Sequence, residues 1–567
     1  MKDTSPESLL VADQIVDMMA NAGIKHLYAI TGDSLNPLTD AITRDGRIQF
    51  VHMRHEESAA FAASAEAQLT DRLACCGGSS GPGHVHLVNG LYDAMRSNAP
   101  VLAIASTCPS AVYGTEYFQE TDPTLLFSDC SVYNHTAVTP AQVPHMFQAA
   151  MQEAISKGGV GVVGLPADVG SLPASGSVTS MNALPTLRLP EPSEDELKEC
   201  AAIINAASTV TIYAGSGCAG AVDALMKLAD VLKAPVVTTF KSRFQLTADC
   251  PNYIGHLGYL GTWAAVDAVK NADVILLLGM HFPFPGFFPT DKKIIQVDIR
   301  AERLGRVAKV DLGIRADMRG FLSALLPLVD TKSDRDFLDG ALNDYALIKN
   351  KLNEPVLARG IKGKIRPEYL FDIINSLADD DCIFTVDTGM NVVWAAHYLT
   401  PARQRAMIGS FTHGSMANAM PQSIGAVMAC PGRQVISLSG DGGLSMLMGD
   451  LLTIIQYQLP VKILVADNRA LAYVKWEMEL AGYSPSQVDL TNPDFAQMAR
   501  SIGFSAETVS EPDMLEDAVG RWLSAEGPAL LSVTTDPDAA SFVFDRDMVD
   551  AATPSSPVAN FTIPGSI

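Results

Sequence analysis

The stretch around Asp441 and Asn468 constrains the fold of this chain more than any other. An apolar strand pattern, Val435 to Leu438, ends in a glycine turn, and a helical pattern leads from there to a second strand pattern, Val461 to Ala466. Strand, helix and strand in this order form a βαβ unit, whose right-handed crossover makes the two strands parallel. Asp441 and Asn468 should therefore meet at the carboxyl edge of a sheet, where open α/β sheets bind ligands.

Oxygen ligands beside a glycine turn suit a divalent cation that holds a diphosphate. A hard ion such as Mg²⁺ could take the Asp441 carboxylate, the Asn468 amide oxygen and the backbone carbonyl of Ala470, with phosphate oxygens completing its shell. Gly442 and Gly443 would let backbone N–H groups approach the phosphates. The alternative is a plain tight turn in which the aspartate only caps a helix.

Composition places the chain among ordinary globular enzymes of several domains. It has 567 residues, and 48% of them are hydrophobic and 18% charged. Its net charge of −23 argues against a nucleic-acid partner and against unaided attraction to anionic lipid. The nine cysteines form no CxxC pair, which favours reduced thiols in a cytoplasmic protein. No secretory signal is expected, and the longest apolar run, Val274 to Met280, is too short to cross a bilayer.

The combination of glycine turn, helix and Pro-Val strand occurs three times, at Gly83 to Val101, Gly215 to Val236 and Gly443 to Val461. The fold class predicted from this is α/β, with three doubly wound parallel-sheet domains that arose by duplication. Linkers rich in Pro, Ser or polar residues set the expected bounds at 1–175, 190–330 and 360–536, with an irregular tail over 537–567.

The Gly-Asp-Gly turn followed by Asn468 resembles the signature of thiamine diphosphate (ThDP) enzymes, and the resemblance covers nearly the whole chain. Within the acetohydroxyacid synthase-like ThDP enzymes, the chain is most similar to the pyruvate oxidases, including the quinone-reducing pyruvate dehydrogenases. The three domains would then be the pyrimidine-binding, central nucleotide-binding and diphosphate-binding domains of that family. ThDP and Mg²⁺ are the cofactors that this resemblance implies.

In the N-terminal domain, the resemblance gives roles to Glu56, Phe118 and Gln119. Glu56 would bind N1′ of the aminopyrimidine ring, and Phe118 and Gln119 would line the substrate pocket. By residue type alone, Glu56 and its neighbour Glu57 are first-turn carboxylates that complement a helix dipole, and Phe118 is a core residue.

In the central domain, the resemblance implies an FAD site. Its residues are a glycine turn, a cation and acidic groups suited to nucleotide hydroxyls, namely Gly215, Gly217, Gly220, Lys241, Gly279, Asp298 and Asp317. By itself a glycine turn is weak evidence, because closely packed βα loops also need glycine for steric reasons.

In the C-terminal domain, Asp387, Thr388 and Gly389 follow a strand and are placed to reach the diphosphate. By resemblance, the carbonyl of Gly414 accepts from the 4′-amino group, and Met416 wedges between the two rings of the cofactor. The helix expected over the active site carries four further candidates, Tyr473, Val474, Trp476 and Glu477. The Trp-Glu pair is similar to that of acetohydroxyacid synthases, in which the Trp shapes the pocket for a second 2-keto acid.

The function implied by the resemblance is oxidative decarboxylation of pyruvate to acetate and CO₂, with electrons passed through FAD to a quinone or another acceptor. One alternative is a non-oxidative carboligase or decarboxylase of the acetohydroxyacid synthase type, and another is a nucleotide-binding regulator without catalysis. The resemblance also implies a homo-oligomer, either a dimer or a tetramer. The acidic tail argues against membrane docking, so we expect a cytoplasmic protein, with peripheral association left open.

Overall fold

Three six-stranded parallel sheets form the framework of the chain, which confirms the predicted fold class. The computed structural model describes residues 9–175, 189–361, 363–402 and 404–545. Several strands are buried along their whole length, such as β10 and β18 below, and β10 is a continuous apolar run. Such runs are typical of parallel sheets covered by helices on both faces.

The N-terminal sheet has the spatial order β2-β1-β3-β4-β6-β5. Its strands are β1 His26–Ala29, β2 Gln49–His52, β3 Ala74–Gly78, β4 Val101–Thr107, β5 Tyr133–Thr136 and β6 Val160–Pro166. The helices of this part are α1 Val11–Asn21, α2 Asn36–Asp45, α3 Glu56–Thr70, α4 Pro82–Val85, α5 Val88–Ser97, α6 Pro123–Leu126 and α7 Val143–Lys157.

The central sheet has the order β12-β11-β10-β7-β8-β9. Its strands are β7 Val210–Ala214, β8 Val236–Thr238, β9 Tyr253–His256, β10 Val274–Leu278, β11 Lys293–Asp298 and β12 Leu312–Arg315. Its helices are α8 Glu194–Ala206, α9 Val222–Leu232, α10 Arg243–Leu246, α11 Trp263–Asn271 and α12 Met318–Leu325. The polar stretch after this sheet forms the long helix α13, Asp336–Ala358, and a small antiparallel hairpin of β13 Gly360–Ile361 and β14 Lys364–Ile365, although the sequence showed no convincing strand there.

The C-terminal sheet has the order β16-β15-β17-β18-β20-β19. Its strands are β15 Ile383–Val386, β16 Ala406–Gly409, β17 Val435–Gly440, β18 Val461–Asp467, β19 Ser505–Val509 and β20 Ala529–Thr534. Its helices are α14 Pro367–Leu377, α15 Met390–Tyr398, α16 Ala419–Ala429, α17 Asp441–Leu447, α18 Leu451–Gln456, α19 Ala472–Leu480, α20 Phe495–Ile502 and α21 Leu515–Ser524.

The strand orders show that the three repeats are not equivalent. Counted from the first strand of each sheet, the N- and C-terminal sheets share the order 2-1-3-4-6-5, whereas the central sheet has the dinucleotide-binding order 3-2-1-4-5-6. The glycine turn lies between the third and fourth strands of the two outer sheets but between the first and second strands of the central one. Only the outer two domains therefore match as copies of one topology.

The helical pattern from Leu444 to Tyr457 predicts one continuous helix, but the structure contains two, α17 and α18. They are separated by a 3₁₀ turn, Met448–Asp450. Asp450 is fully buried, and its carboxylate accepts hydrogen bonds from the backbone N–H of Arg54 at 2.7 Å and from Thr453 Oγ1 at 2.8 Å. The break lets Asp450 bind the N-terminal domain, an interaction that no local pattern encodes.

Close packing joins the outer domains within one chain. Helices α3 and α16 approach so closely that a Cβ on Gly425 would lie 2.0 Å from the carbonyl oxygen of Ala62. Beyond β20, residues 536–545 contain no helix or strand, and Val543 forms an isolated bridge with Thr262 of the central domain. The rest of the predicted tail lies outside the described residues. Among the residues described, no helix is long and apolar enough to cross a membrane.

Candidate active site

A cavity of about 320 Å³ lies at the carboxyl ends of β15, β17 and β18. This edge includes the point between β15 and β17 where the strand order reverses, which is the usual ligand site of an open α/β sheet. Most of the residues predicted for the C-terminal domain line it, namely Thr388, Gly389, Gly414, Met416, Asp441, Gly442, Gly443, Asn468, Ala470, Tyr473, Val474 and Glu477. The βαβ argument therefore places Asp441 and Asn468 correctly at one cavity.

Asp441 is held by backbone and amide donors. Its Oδ1 accepts from the N–H of Gly442 at 2.9 Å, and its Oδ2 accepts from the N–H of Arg469 and from Asn492 Nδ2, both at 2.7 Å. Asn468 Oδ1 accepts from the N–H of Ala470 at 3.0 Å. Burial raises the pKa of Asp441, so its charge costs free energy unless a cation compensates it. Sequence reasoning missed Asn492.

Asp387 explains why Gly443 has no side chain. A Cβ at position 443 would lie 1.8 Å from Asp387 Oδ2. Asp387 is 1% exposed, and this oxygen has no hydrogen-bond partner among the described residues. Burial raises the pKa of Asp387 to about 7. Buried carboxylates, an amide oxygen and a glycine turn at one edge fit a magnesium diphosphate, because the cation would offset their desolvation.

Helix α19 and Met416 form the outer wall of this cavity. A Cβ on Gly442 would lie 3.2 Å from Met416 Cε, so the methionine side chain extends over the glycine turn. Tyr473, Val474 and Glu477 reach the cavity, but Trp476 does not line it. The Trp476 ring instead stacks on Phe542, with ring centroids 3.8 Å apart and planes at 14°. The tail segment therefore holds the active-site helix.

The candidates of the N-terminal domain form a separate group. Glu56 begins α3, is 6% exposed, and lies with its Oε2 2.9 Å from His86 Nδ1. Gln119, with φ of +59°, accepts from Ser80 Oγ at 3.3 Å, and Phe118 is 76% exposed. None of Glu56, Phe118 and Gln119 lines the C-terminal cavity of the same chain.

A second cavity, of about 280 Å³, lies where the central domain faces the two outer ones. Of the residues proposed for nucleotide binding, Lys241 and Gly279 line it. Lys241 Nζ donates to the carbonyl of Ser97 at 3.3 Å, and burial lowers the pKa of Lys241 to about 8. Basic and aromatic residues that sequence reasoning missed complete the lining, among them Arg96, His281, Phe282 and Arg303. The spacing of arginines at positions 300, 303 and 306 after β11 was the available signal for Arg303.

The remaining candidates of the central domain do not line this cavity. The N–H of Gly217 donates to the carbonyl of Gly279 at 2.9 Å, and a Cβ on Gly215 would lie 2.3 Å from Met280 Cα. These glycines let two βα loops pack together. This is the steric role that the sequence analysis gave as the alternative to nucleotide binding. The other three candidates make local contacts within the central domain. Gly220 lies against Arg319, Asp298 accepts from the N–H of Arg300, and Asp317 caps α12.

The two cavities share a wall. Thr388, Gly389, Gly414 and Tyr473 line both of them. A ligand in the basic, aromatic cavity would thus lie directly beside a ligand at the Asp441 edge.

Comparison with known proteins gives matches along most of the chain. The N-terminal TPP-binding domain, the central domain and the C-terminal TPP-binding domain of thiamine pyrophosphate enzymes match residues 10–126, 197–325 and 387–533. A pyruvate oxidase of Lactiplantibacillus plantarum is 32% identical over 91% of this chain and 87% of its own length. A putative thiamine pyrophosphate-containing protein of Bacillus subtilis, YdaP, is 31% identical over 92% of this chain and 90% of its own length. A probable acetolactate synthase large subunit of Methanocaldococcus jannaschii is 30% identical over 93% and 92%.

Proposed function

The chain belongs to the thiamine pyrophosphate enzymes, and from this premise we propose that it oxidatively decarboxylates pyruvate, using ThDP, Mg²⁺ and FAD. Pyruvate and water would give acetate, CO₂, two protons and two electrons, and the electrons would leave through FAD to a quinone or another acceptor. When bound, ThDP supplies an acidic carbon that adds to the keto group and accepts the electron pair left by CO₂, and FAD supplies a two-electron acceptor.

The observation that carries the oxidative reading is the shared wall of the two cavities. The cavity at the Asp441 edge fits a magnesium diphosphate, and the neighbouring cavity is lined by Arg96, Lys241, Arg303 and aromatic rings. Cations and aromatic faces suit a flavin nucleotide, which has a diphosphate and a planar ring system. Because Tyr473 lines both cavities, electrons would have only a short distance to travel between the cofactors.

The protein's own groups would bind and orient. Asp441, Asn468 and the carbonyl of Ala470 would hold Mg²⁺, while Gly442 and Gly443 leave room for the diphosphate. Met416, whose side chain extends over the glycine turn, would contact the rings of the cofactor. Tyr473 and Val474 would close the pocket over the keto acid.

Glu56 would hold the proton shared with the aminopyrimidine ring, and a second copy of the chain would bring it there. Glu56 does not line the Asp441 cavity of its own chain, yet it lies beside the Gly81–Gly83 turn at the equivalent edge of the topologically identical N-terminal sheet. A symmetric dimer would join the N-terminal edge of one chain to the C-terminal edge of its partner.

An anaerobic titration tests the oxidative reaction. The protein is loaded with ThDP, Mg²⁺ and FAD, and the flavin absorption is followed as pyruvate is added without an electron acceptor. We expect stoichiometric bleaching of the flavin and release of CO₂ and acetate. Glu56→Gln, with the same cofactors bound, should leave the flavin oxidised. A wild-type flavin that stays bound but oxidised under pyruvate would contradict the proposal.

A second candidate function is non-oxidative condensation of two 2-keto acids. The similarity to proteins named acetolactate synthase favours it, whereas the Trp476 ring, which stacks on Phe542 and does not line the cavity, gives it no support. This reaction needs no electron acceptor. Formation of acetolactate from pyruvate, with the flavin unreduced, would select it over oxidation.

A further inference from the structure

A third cavity lies away from both sites described above. It has a volume of about 280 Å³ and lies between β9 and α10 of the central domain, helix α13, and the C-terminal end of α15. It shares no lining residue with the other two cavities. Nothing in the proposed reaction uses it.

The lining of this cavity is basic and contains no carboxylate. Arg243 is 6% exposed, and its Nη1 and Nη2 donate to the carbonyls of Ala395 at 3.2 Å and Leu399 at 2.5 Å. It has no ion-pair partner among the described residues, although the chain as a whole carries a net charge of −23. Lys349 of α13 contributes a second cation at the exposed side. Because a guanidinium has five N–H donors, Arg243 keeps donors for a ligand.

Two buried imidazoles face the same space. His256 is 2% exposed and His397 lies on α15, and the Nε2 atoms of both rings have no hydrogen-bond partner among the described residues. The ring of His256 donates its other nitrogen proton to the carbonyl of Leu260. Burial and the charge of Arg243 lower the pKa of both histidines, that of His397 to about 3, so both rings are neutral. His256 Nε2 is therefore a lone pair that needs a donor.

The polar groups of this cavity would be satisfied by a ligand with two properties. Arg243 and Lys349 need negatively charged oxygens, whereas His256 needs an O–H donor in the same ligand. A carboxylate or a sulfate offers only acceptors near neutral pH. Hydrogenphosphate offers charged oxygens together with a P–OH donor. A phosphate monoester has a second pKa of about 6, so most of it has lost the P–OH proton near neutral pH.

We propose that the cavity lined by Arg243, His256, Lys349 and His397 is a binding site for a protonated phosphate group, with inorganic phosphate as the ligand that fits best. His256 accepts the P–OH proton, and Arg243, Lys349 and the unpartnered Nε2 of His397, as an N–H donor, bind the other oxygens. Helix α15 links this site to the active site, because it ends beside the cavity and begins directly after Thr388 and Gly389.

Isothermal titration of the protein loaded with ThDP, Mg²⁺ and FAD tests the site, with inorganic phosphate, sulfate and glycerol 3-phosphate as the probes. We expect saturable phosphate binding and a Kd for sulfate that is about tenfold higher, the usual effect of losing one hydrogen bond to a charged group. If glycerol 3-phosphate shows a lower Kd than inorganic phosphate, the site binds phosphate oxygens without a P–OH proton, and the proposal of a protonated ligand would be overturned.

The variants assign the binding to this cavity. His397→Leu removes a buried nitrogen at similar volume, and Lys349→Met removes the exposed cation; each should raise the Kd for phosphate by about tenfold. Lys270→Met, an exposed lysine on the neighbouring helix α11, is the charge-matched control and should leave the Kd unchanged. Equal binding of sulfate and phosphate, absence of binding, or a Kd unaffected by both His397→Leu and Lys349→Met would overturn the proposal.

Discussion

Replacing Gly443 by alanine tests whether the Asp387 carboxylate and the glycine turn form one rigid floor for the cofactor. The new Cβ would lie 1.8 Å from Asp387 Oδ2 and 2.7 Å from Asp387 Cγ. Asp387 cannot simply turn away, because it is buried and its Oδ1 accepts from the N–H of Thr388 and from Asn418 Nδ2, both at 3.1 Å. The clash must therefore move the strand end or the turn.

The expected cost is that of an overpacked core, about 1–3 kcal/mol. For a domain of this size, that loss corresponds to a decrease of roughly 2–12 °C in melting temperature. Because the clash would displace the turn whose backbone N–H groups are proposed to bind the diphosphate, binding of ThDP with Mg²⁺ should fall by more than the stability loss explains.

Calorimetry of the apoprotein and a titration with ThDP and Mg²⁺ measure the two effects. Gly520→Ala is the matched control, since Gly520 lies in α21 of the same domain and a Cβ there meets nothing within 4 Å. It should raise stability by up to about 1 kcal/mol and leave cofactor binding intact. Wild-type cofactor affinity in Gly443→Ala would refute this account of the turn.

Three further predictions concern residues around the site. Glu56→Gln should lower the pyruvate turnover by about 100-fold or more, as loss of a proton-transfer group does, whereas Glu57→Gln should stay within a few fold in the same steady-state assay. Asp387 in the folded protein keeps a proton that the unfolded chain releases near pH 4, so the stability of the apoprotein should fall from about pH 4 to about pH 7 and then level off. Asp387→Asn should remove this loss of stability. The melting temperature of the variant should therefore exceed that of the wild type by an amount that grows up to about pH 7 and stays constant above it. Phe542→Ala leaves the Trp476 ring without its stacking partner, so KM for pyruvate should rise more than kcat falls, with Phe542→Leu intermediate; an unchanged KM would show that the tail does not hold α19.

Local sequence patterns predicted the βαβ unit of the C-terminal sheet and the edge at which its polar residues lie. The strand starting at Val435 and the one starting at Val461 begin where the sequence placed them, and Asp441 and Asn468 line one cavity. The prediction works because parallel strands joined by a short crossover restrict where a glycine turn and the residue after the next strand can lie relative to each other. Asn492 was not predicted, because its hydrogen bond to Asp441 depends on how a distant loop folds back onto the sheet edge, and residue spacing does not show this.

The central domain shows the limit of the same reasoning. Gly215 and Gly217 stand after a strand as in a nucleotide site, yet they pack against the loop of Gly279. A glycine needed for close packing and one needed for a ligand look alike in a sequence. The basic groups of that cavity come from separate domains, so only tertiary structure brings Arg96 and Arg303 together.

The central claim, that one ThDP is held between two copies of the chain, is tested most directly by mixing two inactive variants. Glu56→Gln lacks the group for the pyrimidine ring, and Asp441→Ala lacks a magnesium ligand. Co-expressed with different tags and purified as the mixed dimer, they should regain roughly half of the wild-type pyruvate turnover, because one of the two sites then carries neither substitution. A mixed dimer as inactive as each variant alone would mean that Glu56 and Asp441 act within one chain, and would contradict the claim.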